Sequence, residues 1–231
     1  MTDAGSTLRT PPHKESEAMV CHADAPRYLI RMDSPTDGLL ARISACRICA
    51  DRFAATETAH EPRPVVRVAP SARILIAGQA PGARVHASGL PFDDPSGDRL
   101  RDWMGINRAT FYDISRVAVV PMAFCFPGYD AKGSDLPPPP VCAKTWRAGV
   151  LAGLPQVGLT LLVGQYAQRW HLGAKRGKSL TETVRDWRAH GPAQLPLPHP
   201  SWRNTAWLKK NPWFAEEILP WLRAEVARLA G

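Results

Sequence analysis

The stretch Ile74-Leu75-Ile76-Ala77-Gly78-Gln79-Ala80-Pro81-Gly82 decides the fold. Four consecutive apolar residues without polar alternation suit a strand buried on both faces, as in a parallel sheet. The glycines that follow let backbone approach a ligand closely, and Pro81 stiffens the loop. In an open α/β sheet, ligands bind at the rim formed by the carboxyl ends of the strands. A second stiff exit lies near the other end of the chain, in Leu195-Pro196-Leu197-Pro198-His199-Pro200-Ser201.

Outward from this stretch, apolar runs alternate with helical patterns. Ile74 to Ala77, Val117 to Val120, Leu159 to Val163 and Leu195 to Leu197 read as buried strands. Pro95 to Met104, Val141 to Leu154, Gln165 to Trp170, Leu180 to His190 and Phe214 to Leu229 read as helices, with a further helical pattern around Leu39 to Ile43. In the last long helix Ile218, Leu219, Leu222, Val226 and Leu229 form a core-facing stripe. Alternating strands and helices imply an α/β fold: a three-layer α/β/α domain with a short parallel sheet. Residues 1–36 are polar and aperiodic and are expected to form a flexible leader, leaving 37–231 as the folded domain. Leu136-Pro137-Pro138-Pro139-Pro140 reads as a short extended connector.

A chain of 231 residues with 45% hydrophobic content can build one ordinary core. The net charge of +8 favours an anionic partner such as nucleic acid. No apolar segment of membrane-spanning length is present and the N-terminus has no signal-like apolar core, so a cytoplasmic protein is expected. In a reducing compartment the five cysteines suit metal binding or buried thiols rather than disulfides.

Gly78-Gln79-Ala80-Pro81-Gly82 continues into Gly89-Leu90-Pro91-Phe92 and Ser96-Gly97. With His199-Pro200-Ser201, this succession resembles the uracil-DNA glycosylase superfamily, closest to its iron–sulfur branch, over roughly Ala41 to Ser201. The resemblance implies that fold and hydrolysis of the N-glycosidic bond of a deaminated or damaged base in DNA, uracil being the base it points to. Phe92 would then stack on a base flipped out of the duplex, which recovers part of the cost of extrusion; the alternative is a core phenylalanine. His199 would donate a hydrogen bond to the base carbonyl as charge accumulates there. Gly78, Ala80, Pro81 and Gly82, with Ser201, would shape the substrate pocket. Trp202 would be a wedge into the base stack and Arg203 a phosphate contact, with Lys209 and Lys210 near the backbone.

Two positions depart from the family pattern. Gln79 stands where the iron–sulfur branch has glutamate, and it can position water or contact the base but cannot act as a base near neutral pH. Of the nearby carboxylates, Asp94 suits a helix cap, and Asp93 either orients water or caps. Pro121 stands where the family has an asparagine that reads uracil, so the excised base is open.

Cys46 and Cys49 form a Cys-x-x-Cys, and Cys125 and Cys142 lie 17 residues apart around the Pro-rich connector. By resemblance these four hold a structural 4Fe–4S cluster; four thiolates also suit zinc. Cys21 falls in the leader. A monomer acting on DNA is expected. The competing reading is a DNA- or nucleotide-binding module with weak or no glycosylase activity. A third, a glycosylase that traps its product covalently, would use His86.

Overall fold

The computed structural model describes Met1 and residues 35–231. The expected leader lies outside the described residues except for Met1, Pro35 and Thr36, and so does Cys21. A helix at Pro35–Ser44 is the first element among the described residues.

Four strands form one sheet: β1 (Ile74–Ala77), β2 (Val117–Val119), β3 (Leu159–Val163) and β4 (Gln194–Leu197). Their order is β2-β1-β3-β4 and every pairing is parallel. Residues of β1, β2 and β3 are all buried, which explains why their sequences are apolar apart from Thr160. The register sets Ile74 against Val117 and Leu159, and Ile76 against Val119 and Leu161. Because side chains alternate across a sheet, these residues share one face, continued by Leu195 and Leu197. Against that face pack the helices Pro95–Met104 and Leu219–Ala230, with Leu100, Trp103, Met104, Leu222 and Val226 buried. Leu75, Ala118 and Val120 face the other way and meet Ile43, Trp146, Val150 and Leu154. The three layers expected from the sequence are therefore present. Pro196, which has no N–H to donate, sits on an edge strand, where it costs least. The opposite edge, β2, is covered by Arg67, which exchanges backbone hydrogen bonds with Val119 at 3.1 and 2.7 Å.

Several boundaries differ in detail from the sequence reading. The helical stretch expected at Val141 to Leu154 runs as Pro140–Cys142, a π-helical turn at Ala143–Arg147 and Ala148–Ala152. That expected at Leu180 to His190 divides into Leu180–Arg185 and a 3-10 turn at Trp187–His190. Four short helices went unread: Ala50–Ala54, Ala83–Ser88, Arg108–Tyr112 and Thr205–Lys210. Each has five or six residues, too few for an apolar period to show.

β1 leads to β2 on one side, while β3 and β4 lie on the other, so the chain reverses its direction of travel between β1 and β3. A crevice at such a reversal, outside the carboxyl ends of the strands, is where this class of sheet binds ligands. Among the described residues, no helix is long and apolar enough to cross a membrane.

Candidate active site

At that crevice lies a solvent-open pocket of about 550 Å³. Its floor is the loop leaving β1, Gly78 to Gly82; its walls include Phe92, Asp94, Pro121, Asp135 and His199. The loop is tied to the exit of β2: Gly78 C=O accepts from Met122 N–H at 2.9 Å, and Gln79 C=O from Ala123 N–H at 3.1 Å.

Phe92 is held in an unusual state. Its φ is 56°, in the left-handed region that a bulky residue rarely enters. Such strain persists only when neighbours fix it, and it concentrates at binding sites. Here its carbonyl accepts from Arg101 Nη1 at 3.3 Å, and the carbonyl of Pro91 accepts from the Tyr112 hydroxyl at 3.0 Å. The ring meets Phe111 edge-on with centroids 6.1 Å apart, and its tip overlies Gly78, where a Cβ would sit 3.4 Å from Cζ. Beneath the turn, a Cβ on Gly97 would come within 1.8 Å of the Phe92 carbonyl oxygen. The half-buried ring packs against the core at one side and lines the pocket at the other.

His199 leaves β4 with its ring orientation fixed. Ser201 N–H donates to Nδ1 at 3.2 Å, and the His199 carbonyl accepts from Asn204 Nδ2 at 2.7 Å. A backbone N–H can only donate, so Nδ1 is unprotonated and the neutral ring carries its hydrogen on Nε2. Burial pushes the imidazole below its ordinary value; the Asp94 carboxylate opposes this and Arg203 adds to it. The result is a neutral donor suited to an oxygen that gains negative charge. Gly164, at the end of β3 with φ 83°, lies beside it, and a Cβ there would stand 3.7 Å from His199 Cβ.

The carboxylates separate by role. Asp94 caps the Pro95–Met104 helix, accepting from Gly97 N–H at 2.9 Å and Ser96 Oγ at 2.5 Å. Asp93 is not among the pocket residues: it pairs with Arg108 at 2.8 Å, and that hydrogen bond holds its carboxyl below the usual range. The catalytic role expected for Asp93 therefore has no support in the geometry, because its neighbour Arg108 draws the side chain away. Asp135, unremarked in the sequence, lines the pocket mouth, and burial raises its carboxyl above the ordinary value.

Pro121 lines the pocket and presents no amide. Its carbonyl and that of Val120 point inward to Arg147, whose Nη1 donates to both, at 2.9 Å to Pro121. Arg147 is 0% exposed, stacks 4.6 Å from Trp170 and donates from Nη2 to His171 Nε2 at 2.7 Å. Burial lowers the guanidinium to about 10 and, with the adjacent cation, the His171 imidazole to about 3.

Ser201 does not line the pocket; its N–H orients His199 and its carbonyl accepts from Arg99 Nη1 at 3.0 Å. Trp202 is 76% exposed and Arg203 lies 5.8 Å over its ring, on a turn leading away from His199. His86 lies outside the pocket, among His60 and Phe126. A second, broader groove beside Met122 and the Pro137–Pro140 run carries Arg52, Lys144, Arg169 and Trp170.

Cys46, Cys49, Cys125 and Cys142 line a common, mostly apolar pocket, and none forms a disulfide. Phe124 N–H donates to Cys142 Sγ at 3.3 Å. Burial and neighbouring thiols push Cys125 up to about 12 and, with burial again first, Cys142 to about 11. Among the described residues no three Cys, His, Asp or Glu side chains are arranged to hold a metal ion. Four thiols lining one space are a donor set of the kind that holds an iron–sulfur cluster or zinc.

An open parallel sheet with Phe92 and a neutral His199 lining one crevice at its strand ends defines an α/β protein with a candidate ligand site at its rim. The family model for the uracil DNA glycosylase superfamily matches residues 65–223, and the chain belongs to that superfamily. Membership brings glycosylase-type hydrolase chemistry with DNA as the substrate class.

Proposed function

We propose that this protein is a DNA glycosylase that hydrolyses the N-glycosidic bond of a deaminated or otherwise damaged base in base-excision repair, uracil being the first candidate. The observation that carries the proposal is the pairing of Phe92 with an Nε2-protonated His199 in one pocket. The extruded base stacks on Phe92, recovering about 1–3 kcal/mol of the extrusion cost. His199 donates to the base carbonyl as the bond to the sugar breaks, a preorganised donor of the kind whose loss costs about 10²–10³ in rate. Gln79 positions water or base through its amide, and Gly78, Ala80, Pro81 and Gly82 let the backbone close on the ligand. Trp202 enters the space the base leaves, and Arg203 meets phosphate. The groove bearing Arg52, Lys144 and Arg169 gives the flanking strand a cationic path.

The four cysteines would hold a 4Fe–4S cluster, placing the chain in the iron–sulfur branch. When bound, the cluster would cross-link the Cys46–Cys49 segment to the loop carrying Cys125 and to the helical turn Pro140–Cys142.

Pro121 favours a second reading. Without an amide at that wall, the pocket lacks the reader of uracil that the resemblance implies, which suits a DNA-binding module of weak activity. Anaerobically purified protein, incubated with oligonucleotides carrying uracil, hypoxanthine, xanthine or an alkylated base and then treated with alkali, separates the two. Strand breaks on one substrate, abolished by His199→Ala, establish the glycosylase. Binding without breaks on any substrate establishes the module.

A further inference from the structure

Resting on the glycosylase reading, we propose that Asp135 is the water-activating carboxylate of this pocket, in the role that Gln79 cannot fill. Asp135 shares the pocket with Gln79, Phe92 and His199. It is delivered there by a hydrogen-bonded loop. Asp130 Oδ1 accepts from Lys132 N–H at 2.9 Å and Ser134 N–H at 2.8 Å, Leu136 N–H donates to Gly128 C=O at 2.9 Å, and Tyr129 bridges Asp135. Beyond it the run Pro137–Pro140 stiffens the exit.

The three neighbouring carboxylates are not equivalent. Asp93 is drawn off to Arg108, and Asp94 spends one oxygen on the helix cap. The Asp135 side chain lines the pocket and makes no hydrogen bond or ion pair with the described residues. The charged and titratable groups around it are Asp94, Arg203 and His199. Burial and then the Asp94 charge raise its proton affinity, and Arg203 moderates the rise. A carboxylate brought toward the working pH is a better base than an ordinary one.

The C1′–N bond breaks with both electrons leaving on the base, whose carbonyl is held by His199 Nε2–H. Water oxygen bonds to C1′ while its proton passes to the Asp135 carboxylate. The base takes a proton from solvent, and Asp135 returns its own at the mouth, so one water yields a free base and an abasic sugar.

The test is single-turnover excision by full-length wild type, Asp135→Asn, Asp135→Glu and His199→Ala across pH, alongside binding to an uncleavable substrate analogue and thermal unfolding. Asp135→Asn is expected to lose about 10²-fold or more in rate, with analogue affinity and stability unchanged. The acidic limb of the wild-type rate profile should disappear in this variant and return in Asp135→Glu. Wild-type inactivity on every base overturns the glycosylase reading and this inference with it. An active wild type, an inactive His199→Ala and an Asp135→Asn variant with wild-type rate and pH profile overturn this inference alone. So does an Asp135→Asn variant that changes base preference but keeps the rate on its best substrate.

Discussion

Gly97→Ala is a sharp test of how the Phe92 platform is built. On helix propensity alone the change should stabilise, since alanine in a helix is favoured over glycine by about 0.5–1 kcal/mol. At this position the new Cβ would lie 1.8 Å from the Phe92 carbonyl oxygen, 2.7 Å from its carbonyl carbon and 2.8 Å from its Cβ. Two of those atoms are backbone, and the turn is pinned by Arg101 and Tyr112, so a side-chain rotation cannot relieve the clash. The Phe92 turn must move by more than an ångström. Overpacking of this kind costs about 1–3 kcal/mol, which exceeds the propensity gain and leaves a net loss of about 1–2 kcal/mol. For a domain of this size that is a fall in Tm of about 2–8 °C. An ångström of misplacement at a reacting centre costs about 10²-fold in rate, so excision should fall far more than stability. Calorimetry and single-turnover excision read the two effects. Gly38→Ala is the control, because a Cβ there meets nothing within 4 Å and the position lies in the Pro35–Ser44 helix, outside the pocket. A Gly97→Ala protein as stable as wild type and equally active would refute the account of Phe92 as a backbone-fixed platform.

Phe92→Ala should weaken analogue binding by about 1–3 kcal/mol through lost stacking, measured by fluorescence anisotropy; unchanged affinity would return Phe92 to the core. His171 gives a pH signature. Its folded value near 3 lies below the ordinary 6.5, so stability is full above pH 6.5 and is lost as pH falls from there toward 3. Denaturant unfolding of His171→Gln should show a shallower decline over that window. Trp202→Ala should leave Tm unchanged, because the side chain is 76% exposed, yet slow excision from duplex more than from single strands; equal slowing on both would argue against a wedge. Replacing Cys125 or Cys142 by alanine should remove iron and acid-labile sulfide together and lower Tm; stoichiometric zinc without sulfide in the wild type would refute the cluster.

The sheet and both pocket motifs were legible because their signals are local. Ile74 to Ala77 is a continuous apolar run and Leu159 to Val163 is broken only by the buried Thr160, and each observed strand has those limits. Asp94 as a cap followed from its place before Pro95, and its hydrogen bond to Gly97 N–H is the expected one. What escaped was non-local. Asp135 reads as an ordinary polar loop residue, and it matters only because the chain from Gly128 to Leu136 folds back over the rim. The Asp130-x-Lys132-x-Ser134 turn was the one signal that this loop is ordered. Arg147 sits within a helical pattern where charge ordinarily faces water; nothing nearby in sequence announces that two carbonyls 26 and 27 residues away would receive it. Asp93 was separated from the pocket by Arg108, a partner 15 residues along the chain.

The sheet order also fixes a dimension. The loops bearing Gly78 and His199 leave β1 and β4, which do not touch; β3 stands between them and ends in Gly164, a residue with no side chain. Two interstrand spacings, about 10 Å in all, therefore separate the loops. That breadth belongs to backbone hydrogen bonding and cannot be retuned by exchanging a side chain. Change of base preference within this scaffold is thus confined to the lining, at Gln79, Pro121 and the mouth, while the gauge of the opening stays constant. A side chain at position 164 would act instead on His199, whose Cβ its own would approach to 3.7 Å.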